Sequence, residues 1–476
     1  MNITRREYLA ASTLAAGAGL AGAMTGKRKS RPNILWIMTD QQVADGMSCT
    51  DNRDLRTPAM DSLAANGVRF EKAYCTNPIC VPSRTSMMTG KMPHETGVSI
   101  NMDRFNVNGQ SLGTVITQAG YDTGYIGKWH IPMSTETNEW HGFRMMKEGG
   151  KRNFNDRHVA EPAVDFIRQK RDQPFFLVAS FVNPHDICEW ARRATGGFPE
   201  RKTKLWNGPI SDTPPPDQCP SLPDNFQIPE HEPDIIREYQ TWQKGTYPVR
   251  NWPDERWRQY RWAINRLIER VDSEIAKILV AVDDNTVIIF TSDHGDGNGA
   301  HKWNQKTLFY EETARVPFII SGNCVANPGT VDRTHLVATG LDIFPTICDY
   351  ADMPVPEELN GRSLRPLAKA LPISWRDQLV SENDLSPAYG YSSGVEGRML
   401  RTENFKYVVY STGKLREQLT DMRSDPGEMN NLAIDPGYAT ILQEHRQRLA
   451  DEIKKTNDSF VVPGTVSNGW KLSRIR

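Results

Sequence analysis

Three uninterrupted apolar stretches dominate the pattern of this chain: Ile34–Met38, Phe175–Ala179 with its continuation Phe181–Val182, and Val287–Phe290. Runs of this length without polar alternation predict strands buried on both faces, as in a parallel sheet covered by helices. Each run stops at residues able to do chemistry: Thr39-Asp40-Gln41, Asn183-Pro184-His185-Asp186 and Thr291-Ser292-Asp293-His294-Gly295. In open α/β sheets the functional crevice lies beyond the carboxyl ends of the strands. The pattern therefore predicts one shared site that receives Asp40, His185 and Asp293. A shorter run, Thr123–Ile126, predicts a fourth strand ending in Gly127-Lys128-Trp129-His130.

Helical periodicity is clearest from about Asp254 to Val282, where Trp257, Tyr260, Ile264, Leu267, Ile268, Val271, Ile275, Ile278 and Leu279 recur at spacings of three and four. That stripe predicts core packing. Residues 188–253 show no sustained period and are rich in proline, polar residues and tryptophan (Trp190, Trp206, Trp242, Trp252). A long irregular insertion just after His185 predicts a wall of the cleft. Its tryptophans either stack on sugar rings or pin the loop to the body.

A boundary falls near residues 352–375, at Met353-Pro354-Val355-Pro356 and Leu371-Pro372. It divides a catalytic segment, 31–370, from a C-terminal segment, 371–476. In the latter, Arg398–Arg401 and Phe405–Tyr410 read as strands of a small sheet, Leu419–Met422 with Asp425–Glu428 as a turn-rich stretch, and Tyr438–Lys455 as a helix. The predicted class is α/β: a mostly parallel central sheet flanked by helices, with a smaller C-terminal α+β subdomain.

Composition adds limits. The 476 residues are 38% hydrophobic and 24% charged, enough for a packed core. A net charge of -1 gives no global field for nucleic acid, so positive charge at any site must be local. The seven cysteines are scattered with no C-x-x-C pair and signal neither zinc nor a disulfide framework. Residues 1–30 read as an export signal: Arg5-Arg6 precede an Ala/Gly/Leu-rich stretch from Leu9 to Ala23, with Ala21-Gly22-Ala23 as a cleavage site. The pattern resembles a twin-arginine signal and predicts a periplasmic or secreted protein. Lys27, Arg28 and Lys29 form a basic flank beyond it.

Cys80 opens the run Cys80-Val81-Pro82-Ser83-Arg84, continuing to Thr89-Gly90. Pro82 suits the first turn of a helix, whose free N–H groups favour an anion near position 80. Arg84 adds a fixed positive charge. The setting suits a nucleophile better than a structural thiol. The run resembles the sulfatase signature, and further motifs follow in that family's order. They are Gly127-Lys128-Trp129-His130, Asp293-His294-Gly295 with His301 and Lys306, Tyr310-Glu311-Glu312 and Arg315-Val316-Pro317. The resemblance spans about Pro32 to Pro317 and continues more weakly through Leu359–Leu364, Asp425–Glu428 and Asn431-Leu432.

The resemblance implies an alkaline-phosphatase-like fold and a sulfuric ester hydrolase whose Cys80 is converted to formylglycine by a maturation enzyme. It implies a metal site of Asp40, Gln41, Asp293, His294 and the modified position 80. Oxygen-rich ligands suit calcium; Gln41, where many sulfatases carry a second Asp, leaves manganese as the less favoured alternative. Arg84, Lys128 and Lys306 match sulfate-contacting positions. His130 would take the proton when the aldehyde is regenerated, His185 would protonate the leaving oxygen, and His301 would lie on the leaving-group side. A sulfated carbohydrate is the expected substrate, with choline or aryl sulfates as alternatives. The competing readings are a phosphonate monoester hydrolase or phosphodiesterase of the same superfamily, and a sulfated-glycan binding protein with unmodified Cys80. Ser83 favours the sulfatase.

Overall fold

A computed structural model describes residues 31–101, 109–148, 155–242, 249, 251–385 and 393–465, without the side chains of Arg201 and Trp242. The predicted export signal and its basic flank lie outside the described residues, as does the Trp242 side chain. The chain supplies, in order, β1 (Asn33–Asp40), β2 (Gly67–Phe70), β3 (Ala73–Tyr74), β4 (Asp122–Gly127), β5 (Met145–Glu148), β6 (Phe175–Pro184), β7 (Thr286–Ser292), β8 (Phe318–Ser321), β9 (Thr330–Asp332) and β10 (Val337–Ala338). Eight of these form one sheet in the order β5-β4-β6-β1-β7-β8-β2-β9, while β3 pairs with β10.

From β5 to β7 every neighbour is parallel. Only β8 runs against its neighbours, so the sheet is mixed at one side. The three apolar runs of the sequence are the adjacent central strands β6, β1 and β7. Leu35 stands beside both Leu177 and Ile288, and Thr39 beside Ser292. Alternate side chains feed opposite layers. Leu35, Ile37 and Phe290 pack with Trp257, Ile264 and Ile268 of the long helix Asp254–Leu279. Ile34, Trp36 and Met38 pack with Met87, Phe344 and Ile347 on the other side. Burial on both faces is why these strands show no polar alternation.

Residues 188–253 are more regular than the sequence pattern indicated. They include most of a helix, Ile187–Thr195, and a second one, Asp234–Trp242. Both are nine residues long, too short for a period to stand out among the surrounding prolines.

Strands β11 (Gln378–Leu385), β12 (Val395–Thr402), β13 (Phe405–Tyr410) and β14 (Glu417–Asp421) form an antiparallel sheet in that order. Leu419, read from sequence as part of a turn-rich stretch, lies inside β14 opposite Tyr407; the turns begin after Asp421. Helix Ala439–Thr456 covers one face through Leu442, Leu449 and Ile453. The opposite face, with Met399, Val408 and Tyr410, packs on Leu308, Phe309 and Tyr310. The small sheet is thus fixed against the segment that follows Lys306.

Candidate active site

Asp40 ends β1, and Asp293 follows β7 directly. Parallel pairing of the two strands sets their carboxylates side by side, fully buried. The backbone turns sharply at Gln41, whose φ is 69°, and its N–H donates to Asp293 Oδ1 at 3.1 Å.

Cys80 is the first residue of helix Cys80–Thr89, entered through extended Ile79, and every residue of that helix is buried. One turn on, Arg84 reaches back to the strand ends. Its Nε donates to Asp293 Oδ2 at 2.7 Å and its Nη2 to Asp40 Oδ2 at 2.9 Å. Its Nη1 donates to the Lys128 carbonyl and to Ser180 Oγ, each at 2.8 Å. Arg84 therefore links the two carboxylates to the residue that follows β4 and to the middle of β6. All three of its nitrogens are thus engaged within the protein. Lys128 Nζ also donates to Asp40 Oδ2.

Around the Cys80 sulfur stand Lys306 Nζ at 2.9 Å, His294 Nε2 at 3.2 Å and Asp40 Oδ1 at 4.0 Å. Burial and Asp40 push the thiol up, but Lys128, Lys306 and His294 outweigh them and hold it well below its ordinary value. Position 80 is thus a stabilised anion position. Burial also opposes ionisation of Asp40, yet Lys128, His185, Arg84 and Lys306 together keep its carboxyl well below the usual range. Asp293 shifts the other way, raised by burial and then by the neighbouring Asp40.

The two candidate proton carriers face the same cluster. His130 has a left-handed φ of 53°, and burial lowers its pKa. His185 is driven well below its ordinary value by burial, then by Lys128 and Lys306. Its ring stacks on Trp206, centroids 5.5 Å apart and 18° from parallel. His301 is buried in the segment between His294 and Lys306. It stacks on Tyr310 at 3.8 Å, and its Nε2 lies 3.4 Å from Asn225 Nδ2. Its Nδ1 is buried with no hydrogen-bond partner among the described residues.

The donor set suits a divalent cation. Asp40, Cys80, Asp293 and His294 each offer one ligand atom, all within 4.8 Å of one another and all buried. His294 Nδ1 donates to the Gly295 carbonyl at 2.8 Å, which leaves Nε2 as the ring nitrogen turned toward the cluster and available to a cation. Gln41 Oε1 faces the same space, 3.2 Å from Lys306 Nζ. Two adjacent buried carboxylates with oxygen and imidazole donors fit a hard or borderline cation.

Sequence reasoning passed over two contributors. Asp296 lies three residues beyond Asp293 in the same run and receives the Gln41 amide; a third polar residue closing a strand-end motif was a readable signal. Ser180 sits inside an apolar run, where a lone hydroxyl gives little warning.

The chain matches the sulfatase family over residues 32–353, and the C-terminal region of N-sulphoglucosamine sulphohydrolase over residues 299–455. It is 30% identical over 468 residues to a Delta 4,5-hexuronate-2-O-sulfatase of Bacteroides thetaiotaomicron, covering 93% of each chain. Among solved structures, a 2-O GAG sulfatase superposes with a TM-score of 0.79 at 30% identity, covering 92% of this chain and 95% of the other. A second, in complex with its substrate D-glucosamine-2-N,6-O-disulfate, gives a TM-score of 0.70 at 25% identity, covering 92% and 100%. The chain belongs to the sulfatase family, on the alkaline-phosphatase-like fold. It is a sulfuric ester hydrolase.

Proposed function

We propose that this sulfatase is exported and removes a sulfate ester from a sulfated carbohydrate, using formylglycine at position 80 and a bound calcium ion. The observation that carries the reading is the ring of Lys306, His294 and Asp40 around the Cys80 sulfur. The carbohydrate substrate is supported by the hexuronate and glucosamine sulfate specificities named for its relatives. Export is supported by Arg5-Arg6 and the small-residue stretch that follows.

Formylglycine supplies, as its hydrate, a hydroxyl nucleophile for the sulfur of the ester. Calcium supplies charge stabilisation for the sulfate oxygens. The chain's own residues do the rest. Lys306 and Lys128 concentrate positive charge where an anionic sulfate must sit. Arg84 holds Asp40 and Asp293 rigid. His185 delivers a proton to the leaving alcohol oxygen. Burial depresses His185 first, and Lys128 and Lys306 add to it; a bound sulfate would neutralise these two cations and so raise the proton affinity of His185. His130, next to position 80, accepts the hydroxyl proton when the aldehyde is regenerated.

Peptide mass spectrometry of residues Ala73–Arg84 after thiol alkylation tests the nucleophile. Cys75 is a free thiol in the same peptide and serves as the control. The expected result is an alkylated Cys75 and an aldehyde at position 80. Alkylation of both in protein made with a formylglycine-generating enzyme would refute the formylglycine reading. A panel of sulfated glycan fragments, aryl sulfate, choline sulfate, phenyl phosphonate and a phosphate diester tests the substrate. The glycan fragments should give the highest kcat/KM; preference for either phosphorus ester would overturn the sulfatase assignment.

A further inference from the structure

Asp296 is fully buried, and among the described residues it pairs with no cation. It is satisfied instead by donors alone. Tyr260 Oη reaches both carboxylate oxygens at 2.9 Å. The Asn298 N–H reaches Oδ1 at 2.7 Å, and the Gln305 N–H reaches Oδ2 at 3.0 Å. The last donor is Gln41 Nε2, 2.7 Å from Oδ2. A carboxylate only accepts, so it dictates which end of the Gln41 amide it meets. Reversing the amide would set Oε1 against Oδ2. The same carboxylate, through Gln305, fixes the backbone immediately before Lys306.

We propose that Asp296 is a positioning residue that orients the Gln41 amide so that Oε1, not Nε2, faces the cation site. The pair Gln41–Asp296 then replaces a carboxylate ligand, with the negative charge moved outward behind a neutral donor oxygen. The inference rests on the metal reading above. Glutamine is isosteric with glutamate and aspartate with asparagine, so the polarity of the pair can be reversed without changing its shape. In Gln41→Glu, two carboxyl groups would meet at the position of the present 2.7 Å Nε2–Oδ2 contact, where both can be ionised only at the cost of like-charge repulsion in a buried site. Adding Asp296→Asn gives the introduced carboxylate a donor again.

Two readouts test this on the full chain: calcium affinity by titration calorimetry, and melting temperature of the metal-free protein in chelator. Asp296→Asn alone should weaken calcium binding by about 10-fold or more, the usual effect of losing a group that orients a ligand. It should lower the metal-free melting temperature in the wild-type background and raise it in the Gln41→Glu background. A residue that only holds the Asn298 and Gln305 turns would lower it in both backgrounds, and that result would overturn the proposal. So would wild-type calcium affinity in Asp296→Asn. If Asp296→Asn does not fold, folding of the double variant still supports the pairing, and failure of both refutes it. A wild type that binds no divalent cation defeats the metal reading and the orienting role together, whatever the sign of the melting shifts.

Discussion

At the scale of single residues, Arg84 does the most to make the site possible. Two fully buried carboxylates at adjacent strand ends repel each other, and one guanidinium spans both. Its planar fork reaches Asp40, Asp293 and the Lys128 carbonyl at once, which a lysine cannot copy. Arg84→Met leaves buried charge uncompensated, a change that costs about 3–5 kcal/mol when a buried pair is broken. The expected outcome is a large fall in the denaturation midpoint in chelator, partly recovered by saturating calcium, which supplies positive charge to the same carboxylates. Equal loss with and without calcium would argue that Asp40 and Asp293 are not cation ligands.

At the scale of elements, the legible parts were those whose burial is extreme. Strands β1, β6 and β7 are buried on both faces, so their residues carry little but apolar side chains, and the polar residues at their ends stand out. That contrast made Asp40, His185 and Asp293 readable as one site. The long helix Asp254–Leu279 was legible because 26 residues give its stripe room to repeat. The stretch before it was not, because its order comes from distant partners. Loop 206–209 is tied down by Asp186, which accepts the Trp206 and Asn207 N–H groups at 2.9 Å each. Arg270 holds it from the other side through the Asn207, Gly208 and Pro209 carbonyls. No local pattern encodes those bonds. Of the tryptophans in this stretch, Trp190 and Trp252 pack on Trp257 and Tyr260 and pin the chain. Trp206 differs: it is 38% exposed and lies on the His185 ring. A stacked pair is worth about 0.5–1.5 kcal/mol, so Trp206→Ala should lower kcat/KM about 2- to 10-fold, with Trp206→Phe recovering most of it. Unchanged kinetics in Trp206→Ala would show that the stack has no catalytic consequence.

At the scale of the whole molecule, the question is what keeps the C-terminal sheet seated against the catalytic layers. Backbone and side-chain bonds from Ser381, Glu382 and Asn383 of β11 run to Cys75, Thr76 and Thr307, close to the nucleophile and Lys306. Beside them, His94 joins three parts of the chain. It lies in the short helix Pro93–Thr96 after the nucleophile helix. Its Nδ1 meets Glu382 Oε1 at 2.5 Å, and its Nε2 meets the carbonyl of Thr456, the last residue of helix Ala439–Thr456, at 3.1 Å. Nearby Asp458 is paired with Arg398 at 2.6 Å. Both His94 nitrogens face acceptors, which requires the protonated ring. Burial opposes that charge, but the Glu382 hydrogen bond and charge raise the His94 pKa from 6.5 to about 9. A folded-state pKa above the unfolded one gives stability that is complete below the unfolded value and fades as pH rises through the folded value. The clamp should therefore be whole below about pH 6.5 and lost through about pH 9. His94→Gln keeps a donor but no charge. Its melting temperature should lie well below wild type in mildly acidic buffer, and the gap should close as pH climbs through about 9. A gap that stays constant across this range would mean that His94 holds the two parts by shape and neutral hydrogen bonding alone.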